Sequence, residues 1–142
     1  MHVYTVKGRV LGIDYGERRM GVAISDETRT VATPLAVIAY DSIKEACREV
    51  EQYRSETSAE EIVVGMPISL GGFHGDSAKR VGEFIENLSR FVSVPIVTWD
   101  ERFSTVSANQ ALIEGGARRV KRKQVVDKLA AQIMLQHYLD SR

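Results

Sequence analysis

Residues 61–66 (Glu-Ile-Val-Val-Gly-Met) form an apolar run behind one leading acid, closed by Pro67 and a Gly-rich stretch. A strand with one wet face alternates apolar and polar residues. A short run without that alternation is covered on both faces, and the layers that cover a parallel strand on both faces are helices. This segment therefore predicts an α/β architecture with 61–66 inside the sheet. Helical spacing supplies covering layers on either side of it in the chain. Ser42 and Glu45 are spaced as a capping box for a helix over 42–57, with Ile43, Ala46, Cys47, Val50 and Tyr53 on one stripe. Asp76 can cap a second helix that runs through Phe91, in which Val81, Phe84, Ile85 and Leu88 recur at helical spacing.

The remaining segments complete the order β-β-β-α-β-α-β-α-α. Residues 9–14 and 20–25 read as a β-hairpin, and 30–39 as a third strand in which Pro34 is confined to the entry or to an edge. Residues 94–99 form the last strand. Ser104 or Thr105 caps a short helix carrying Ala108, Ala111 and Leu112, which Gly115 and Gly116 end. A basic loop leads into a final helix over about 123–139. With 142 residues the whole chain, 1–142, is expected to be one domain around a mixed sheet.

Composition excludes several classes. The single cysteine, Cys47, rules out an internal disulfide, and its place on the apolar stripe argues for a buried thiol rather than a nucleophile. The first residues lack the apolar core of a signal peptide, and nowhere do about 18 apolar residues run together as a membrane span requires, so a cytoplasmic protein is expected. Formal charge balances at 19 basic and 19 acidic residues, so any affinity for nucleic acid must come from distribution. That distribution is uneven: Arg118, Arg119, Lys121, Arg122 and Lys123 put five cations in six positions.

Three acidic positions carry the chemistry. Asp14 ends the first strand and Asp100-Glu101 follow the last one. Ligand crevices of open α/β sheets lie outside such strand C-terminal ends, although Asp is also common where strands simply stop. The third position is Asp127 on the final helix. If Val126, Leu129, Ala130, Ile133 and Met134 make the apolar face, with Ala131 and Tyr138 at its edge, Asp127 falls between Met134 and Ala131. A carboxylate on a buried margin needs a partner: an Arg, a helix terminus or a metal ion. The histidines His2, His74 and His137 are scattered. Carboxylates without a matching His/Cys set point to Mg²⁺ or Mn²⁺ rather than zinc. No Walker loop, G-x-S-x-G elbow or G-x-G-x-x-G fingerprint is present, which leaves metal-assisted phosphate chemistry, and phosphodiester cleavage by that route uses two ions about 4 Å apart.

These motifs resemble the YqgF family, whose members are described as Holliday-junction resolvases or pre-16S rRNA nucleases. The resemblance runs through Gly12-Ile13-Asp14-Tyr15-Gly16, Arg19-Met20-Gly21-Val22-Ala23, Val64-Gly65-Met66-Pro67, Asp100-Glu101-Arg102 and Asp127-Lys128-Leu129-Ala130-Ala131. It implies a ribonuclease H-like fold, three-layered around a mixed five-stranded sheet. It also implies a hydrolase whose catalytic and metal-holding acids are Asp14, Glu101 and Asp127, with Asp100 as a neighbouring catalytic candidate. The chain departs from the usual family pattern at Glu17, Phe103 and Ser104, positions that bear on substrate contacts.

Arg18, Arg19, Arg102, Arg118, Arg119, Lys121, Arg122 and Lys123 are the candidates for the nucleic-acid backbone, since Lys and Arg neutralise phosphates without reading sequence. The activity that the resemblance implies is maturation of the 5′ end of pre-16S rRNA. Cleavage of branched DNA at a Holliday junction is the alternative, and it needs two symmetric sites in a homodimer where RNA trimming can be done by a monomer. Two further classes are an actin-like ATPase, suggested by Gly12-x-Asp14-x-Gly16 but lacking the duplicated fold, and a non-catalytic RNA-binding module.

Overall fold

The computed structural model describes residues 8–66, 76–100 and 119–141, with the backbone alone described over 119–128. The order is β1 (Val10–Tyr15), β2 (Arg19–Ser25), β3 (Ala32–Ala39), α1 (Ile43–Thr57), β4 (Glu61–Met66), α2 (Asp76–Leu88), β5 (Ile96–Asp100) and α3 (Arg119–Asp140). The five strands form one sheet ordered β3-β2-β1-β4-β5. β2 is antiparallel to β1 and β3, whereas β1, β4 and β5 are parallel. As its composition requires, β4 lies inside the sheet, with Ile62, Val63 and Val64 all at 0% exposure. The expected short helix over 104–114 lies outside the described residues.

Strand parity sorts the side chains into two cores. On one face Leu11, Ile13, Met20, Val22, Ile62 and Val64 pack against Ala46, Cys47 and Val50 of α1 and Val81, Phe84 and Leu88 of α2. On the other, Val10, Ala23 and Val63 pack against Ala131, Met134, Leu135, Tyr138 and Leu139 of α3. Among the described residues, two helices cover one side of the sheet and one covers the other.

Local chemistry explains the element ends. Ser42 Oγ accepts from the N–H of Glu45 at 3.1 Å, while the Glu45 carboxylate reaches back to the N–H of Asp41 at 2.6 Å, one residue earlier than a standard capping box. Ser58, in the left-handed region at φ 57°, stops α1. Asp76 is the first helical residue of α2 rather than its cap. Pro34 sits on an edge strand beside a register shift, where Val22 pairs with Ala36 but Ala23 pairs with Pro34, so Leu35 is the extra residue of a bulge.

Two expectations about the last helix change. Its start is Arg119 rather than about residue 123, so Arg119, Lys121, Arg122 and Lys123 belong to helix and not to a loop. Lys and Arg are good helix formers, and the charge run carried no stop signal after Gly116. Its apolar face is also rotated: Ala130, Ala131, Met134, Leu135, Tyr138 and Leu139 are buried, whereas Leu129 and Ile133 are only half-buried. The rotation follows from Gly12, where an added Cβ would lie 3.0 Å from Leu135 Cβ, so Leu135 occupies the space that a side chain on β1 would need.

Gly12→Val should therefore push α3 off the sheet and destabilise the fold by about 1–3 kcal/mol. Urea denaturation checks this, and an unchanged midpoint would mean that the Leu135 seat is not tight.

Candidate metal and nucleic-acid site

Asp14 is the penultimate residue of β1 and shares the parity of Val10 and Gly12, the positions that face α3. Its cross-strand partner on β2 is Gly21. One step past the Ile13–Val64 pair brings it level with Gly65 on β4. The half-buried carboxylate is thus flanked on both neighbouring strands by residues without side chains, at the C-terminal edge of the parallel strands.

The direction of α3 follows from two contacts. The Tyr138 hydroxyl donates to Glu61 Oε2, and Glu61 is in register with Val10; two residues further along β1, Gly12 meets Leu135. Moving forward on β1 is moving backward on α3, so the helix is antiparallel to β1 and its first half runs toward the edge that carries Asp14. Position 127 precedes the buried residues Ala131, Met134 and Tyr138 by four, seven and eleven residues, which keeps it on their helical repeat. Its side chain lies outside the described residues, as does all of Glu101.

Asp100 ends β5 opposite Met66. It is exposed and shares the parity of Ile96, which packs on the α1/α2 face. Trp99 beside it turns to the α3 face and meets Tyr138 edge-on, with ring centroids 5.7 Å apart at 73°. Asp14 and Asp100 therefore share one sheet edge but lie on opposite faces. Among the described residues no group of three or more His, Cys, Asp or Glu side chains gathers to hold a metal ion.

The basic candidates divide similarly. Arg18 is exposed and Arg19 half-buried in the turn that follows Asp14. That turn is closed by the Gly16 N–H donating to the Arg19 carbonyl at 2.8 Å, and a Cβ on Gly16 would lie 2.6 Å from that oxygen, so only glycine fits. Arg119, Lys121, Arg122 and Lys123 occupy the start of α3, while Arg102 and Arg118 lie outside the described residues.

Sequence reading missed the support behind the Asp14 turn. Tyr40 donates its hydroxyl to the Gly16 carbonyl and its N–H to the Arg18 carbonyl at 3.2 Å. Its ring stacks on Tyr15 with centroids 5.2 Å apart, and Tyr15 stacks on the fully buried Phe84 at 4.1 Å. Burial first, and then its bond with the Tyr15 hydroxyl, raises the Tyr40 phenol far above its ordinary value, so it stays a neutral donor. No periodicity marks these partners, which come from a strand end, a loop and a helix.

Cys47 is fully buried, and burial pushes its thiol up to about 11. A thiol so protected is no nucleophile at neutral pH. Among the described residues no helix is long and apolar enough to cross a membrane.

Comparison with known proteins adds a family and a fold. The family model RuvX, described as Holliday junction resolvase, matches residues 8–141. A protein of Desulforamulus reducens is 44% identical over 133 residues, covering 94% of this chain and 97% of the relative. One of Caldanaerobacter subterraneus subsp. tengcongensis is 44% identical over 135 residues, with the same shares covered. Both carry the name "Putative pre-16S rRNA nuclease". Among solved structures, Thermus thermophilus RuvC in complex with a Holliday junction substrate superposes with a TM-score of 0.60 at 18% identity, over 95% of each chain. The fowlpox virus Holliday junction resolvase does so with a TM-score of 0.56 at 15% identity, over 94% of this chain and 99% of that one. The fold is ribonuclease H-like, with a mixed five-stranded sheet.

The Cys47 thiol should resist a disulfide reagent in the native protein and react at once in denaturant. Rapid labelling of folded protein would show that the α1 face opens readily.

Proposed function

The chain belongs to the RuvX family, and on that premise we propose that it is a metal-dependent nuclease that trims the 5′ end of pre-16S rRNA in the cytoplasm. The observation that supports this most is the antiparallel seating of α3 on β1, which directs a helix bearing Asp127 toward the edge where Asp14 stands. Glu101 follows directly on β5, which ends at that edge. In this reading Asp14, Glu101 and Asp127 hold two Mg²⁺ or Mn²⁺ ions, and Asp100, of opposite parity to Asp14, contributes less.

The donor set fits such ions. Carboxylate oxygens suit hard cations, and the residues level with Asp14 on both neighbouring strands are glycines. Bound there, the ions would activate water and stabilise the leaving oxygen. The chain's own residues do the rest. Arg18 and Arg19 follow the acid in a closed turn, where they can hold a phosphate of the substrate.

The start of α3 supports an anionic partner independently. Arg119, Lys121, Arg122 and Lys123 crowd a helix beginning whose first turn has no acid. Cations there oppose the helix dipole, a cost that a bound phosphate offsets. The second reading, cleavage of branched DNA by a homodimer, draws on the family description and on the ribonuclease H-like fold.

Asp14→Asn and Asp127→Asn should each lower Mn²⁺-dependent cleavage of precursor rRNA by at least about a hundredfold without unfolding the protein. A four-way DNA junction assayed in parallel, with and without Mn²⁺, separates the two substrates. Full activity in both variants would sink the acid assignment.

Replacing Arg119, Lys121, Arg122 and Lys123 by Ala should flatten the log–log salt dependence of RNA binding by up to about three units. An unchanged slope would make this turn an ordinary solvated one.

A further inference from the structure

Resting on the nuclease reading, we propose that Tyr40 is a positioning residue that fixes the turn between Asp14 and Arg19, and with it the direction of the acid and of both arginines. The turn between Asp14 and Arg19 is short. It joins β1 to β2, contains Gly16, and carries Glu17 and Arg18 exposed. Its internal closure is the Gly16 N–H to Arg19 carbonyl bond of 2.8 Å. That bond fixes the turn's shape but does not set its angle to the sheet.

Tyr40 supplies that angle. It stands just after β3, across β2 from Asp14, and touches the turn in three ways. The phenol donates to the Gly16 carbonyl, the backbone N–H donates to the Arg18 carbonyl at 3.2 Å, and the ring lies 18° from parallel on Tyr15. Tyr15 in turn lies 11° from parallel on Phe84, which is fully buried in the α1/α2 core. The turn is thus tied to the rigid centre of the protein through a column of three rings. Two of its carbonyls, those of Gly16 and Arg18, are held by one residue.

The geometry is one-sided in a useful way. Tyr15 points into the α1/α2 core, and Asp14, its neighbour on the strand, has the opposite parity. Fixing the Tyr15 ring on one face fixes the β1 backbone from which Asp14 projects on the other. Because the phenol remains protonated, the hold does not vary across the working pH range.

The test uses the full chain as wild type, Tyr40→Phe and Tyr40→Ala. Tyr40→Phe keeps the ring stack and removes the bond to Gly16; Tyr40→Ala removes both. Cleavage of precursor rRNA in Mn²⁺ gives kcat, KM and the half-activating Mn²⁺ concentration. RNA binding in EDTA against salt reads the arginines without metal, and thermal unfolding reads the fold. For Tyr40→Phe, kcat should fall roughly tenfold with KM nearly constant, and the half-activating Mn²⁺ concentration should rise. For Tyr40→Ala, the metal-free salt slope should also flatten by about one to two units as Arg18 and Arg19 lose their direction.

A lower Tm in both variants with kcat, Mn²⁺ requirement and salt slope unchanged would overturn the proposal and leave Tyr40 a packing residue. If Tyr40→Ala does not fold, Tyr40→Phe still decides. If wild type cleaves neither RNA nor junction, the nuclease reading falls, and the metal-free salt slope of Tyr40→Ala judges the clamp alone, an unchanged slope overturning it.

Discussion

Contact between Leu135 and the bare Cα of Gly12 sets how closely α3 approaches the sheet. β1 is the central strand, so this contact lies at the middle of the molecule. Ala130 and Ala131, both small and buried, continue the close approach toward the end of the sheet where Asp14 stands. A bulkier residue at any of these points would lift the first half of α3 away from the strand ends. The distance between an acid on α3 and an acid on β1 is therefore governed by how little side chain lies between them.

Height alone does not fix register, and the far end of α3 supplies that. Glu61, only 8% exposed, accepts from Arg29 at 2.6 Å through one oxygen and from the Tyr138 hydroxyl through the other. Arg29 adopts a left-handed φ of 59° and also donates Nε to the Gly8 carbonyl at 2.7 Å. A left-handed residue costs roughly 1 kcal/mol, which these bonds offset. A buried ion pair is a weak stabiliser compared with apolar packing. It is a demanding one in geometry, since three side chains from a turn, a strand and a helix must meet. Gln132 and Gln136 add a second constraint by bonding the backbone of Thr30 and Ala32 at the start of the edge strand, as a neighbouring strand would. Sliding α3 along its axis would break both sets.

The contrast between these two layers shows what a sequence makes legible. Runs and stripes are local, so β4, the hairpin, α1 with its Ser42 cap, the edge position of Pro34 and the burial of Cys47 could all be read from spacing. The Glu61–Tyr138 and Gln136–Ala32 contacts join residues 77 and 104 positions apart, and nothing local announces them. Glu61 looked like the polar lead of an apolar run, and Tyr138 like the edge of a stripe. The rotation of the α3 face is the same problem in another form: periodicity fixes which residues share a face, but Gly12 on a different element decides which face goes inward. Of the acids, spacing found Asp14 at a strand end, but that it faces α3 while Asp100 faces the other way required knowing where the helices pack and where β5 begins. The start of α3 was misjudged because a run of Lys and Arg looks like a solvated loop while favouring helix intrinsically.

Charge is handled differently at the two ends of α3. At its C-terminal end the ionic groups are answered within the chain, as Arg29 answers Glu61. At its N-terminal end four cations stand against the helix dipole without an acid in the first turn, and Asp127 sits on the repeat of a buried stripe. Each departs from a local rule of helix charge or of burial. Such departures gather where function overrides stability. Their charges are of opposite sign, basic in the first turn and acidic on the stripe. On the proposed nuclease reading, a phosphate backbone that arrives with metal ions would meet both at once, which makes one site a simpler account of the two departures than two separate costs.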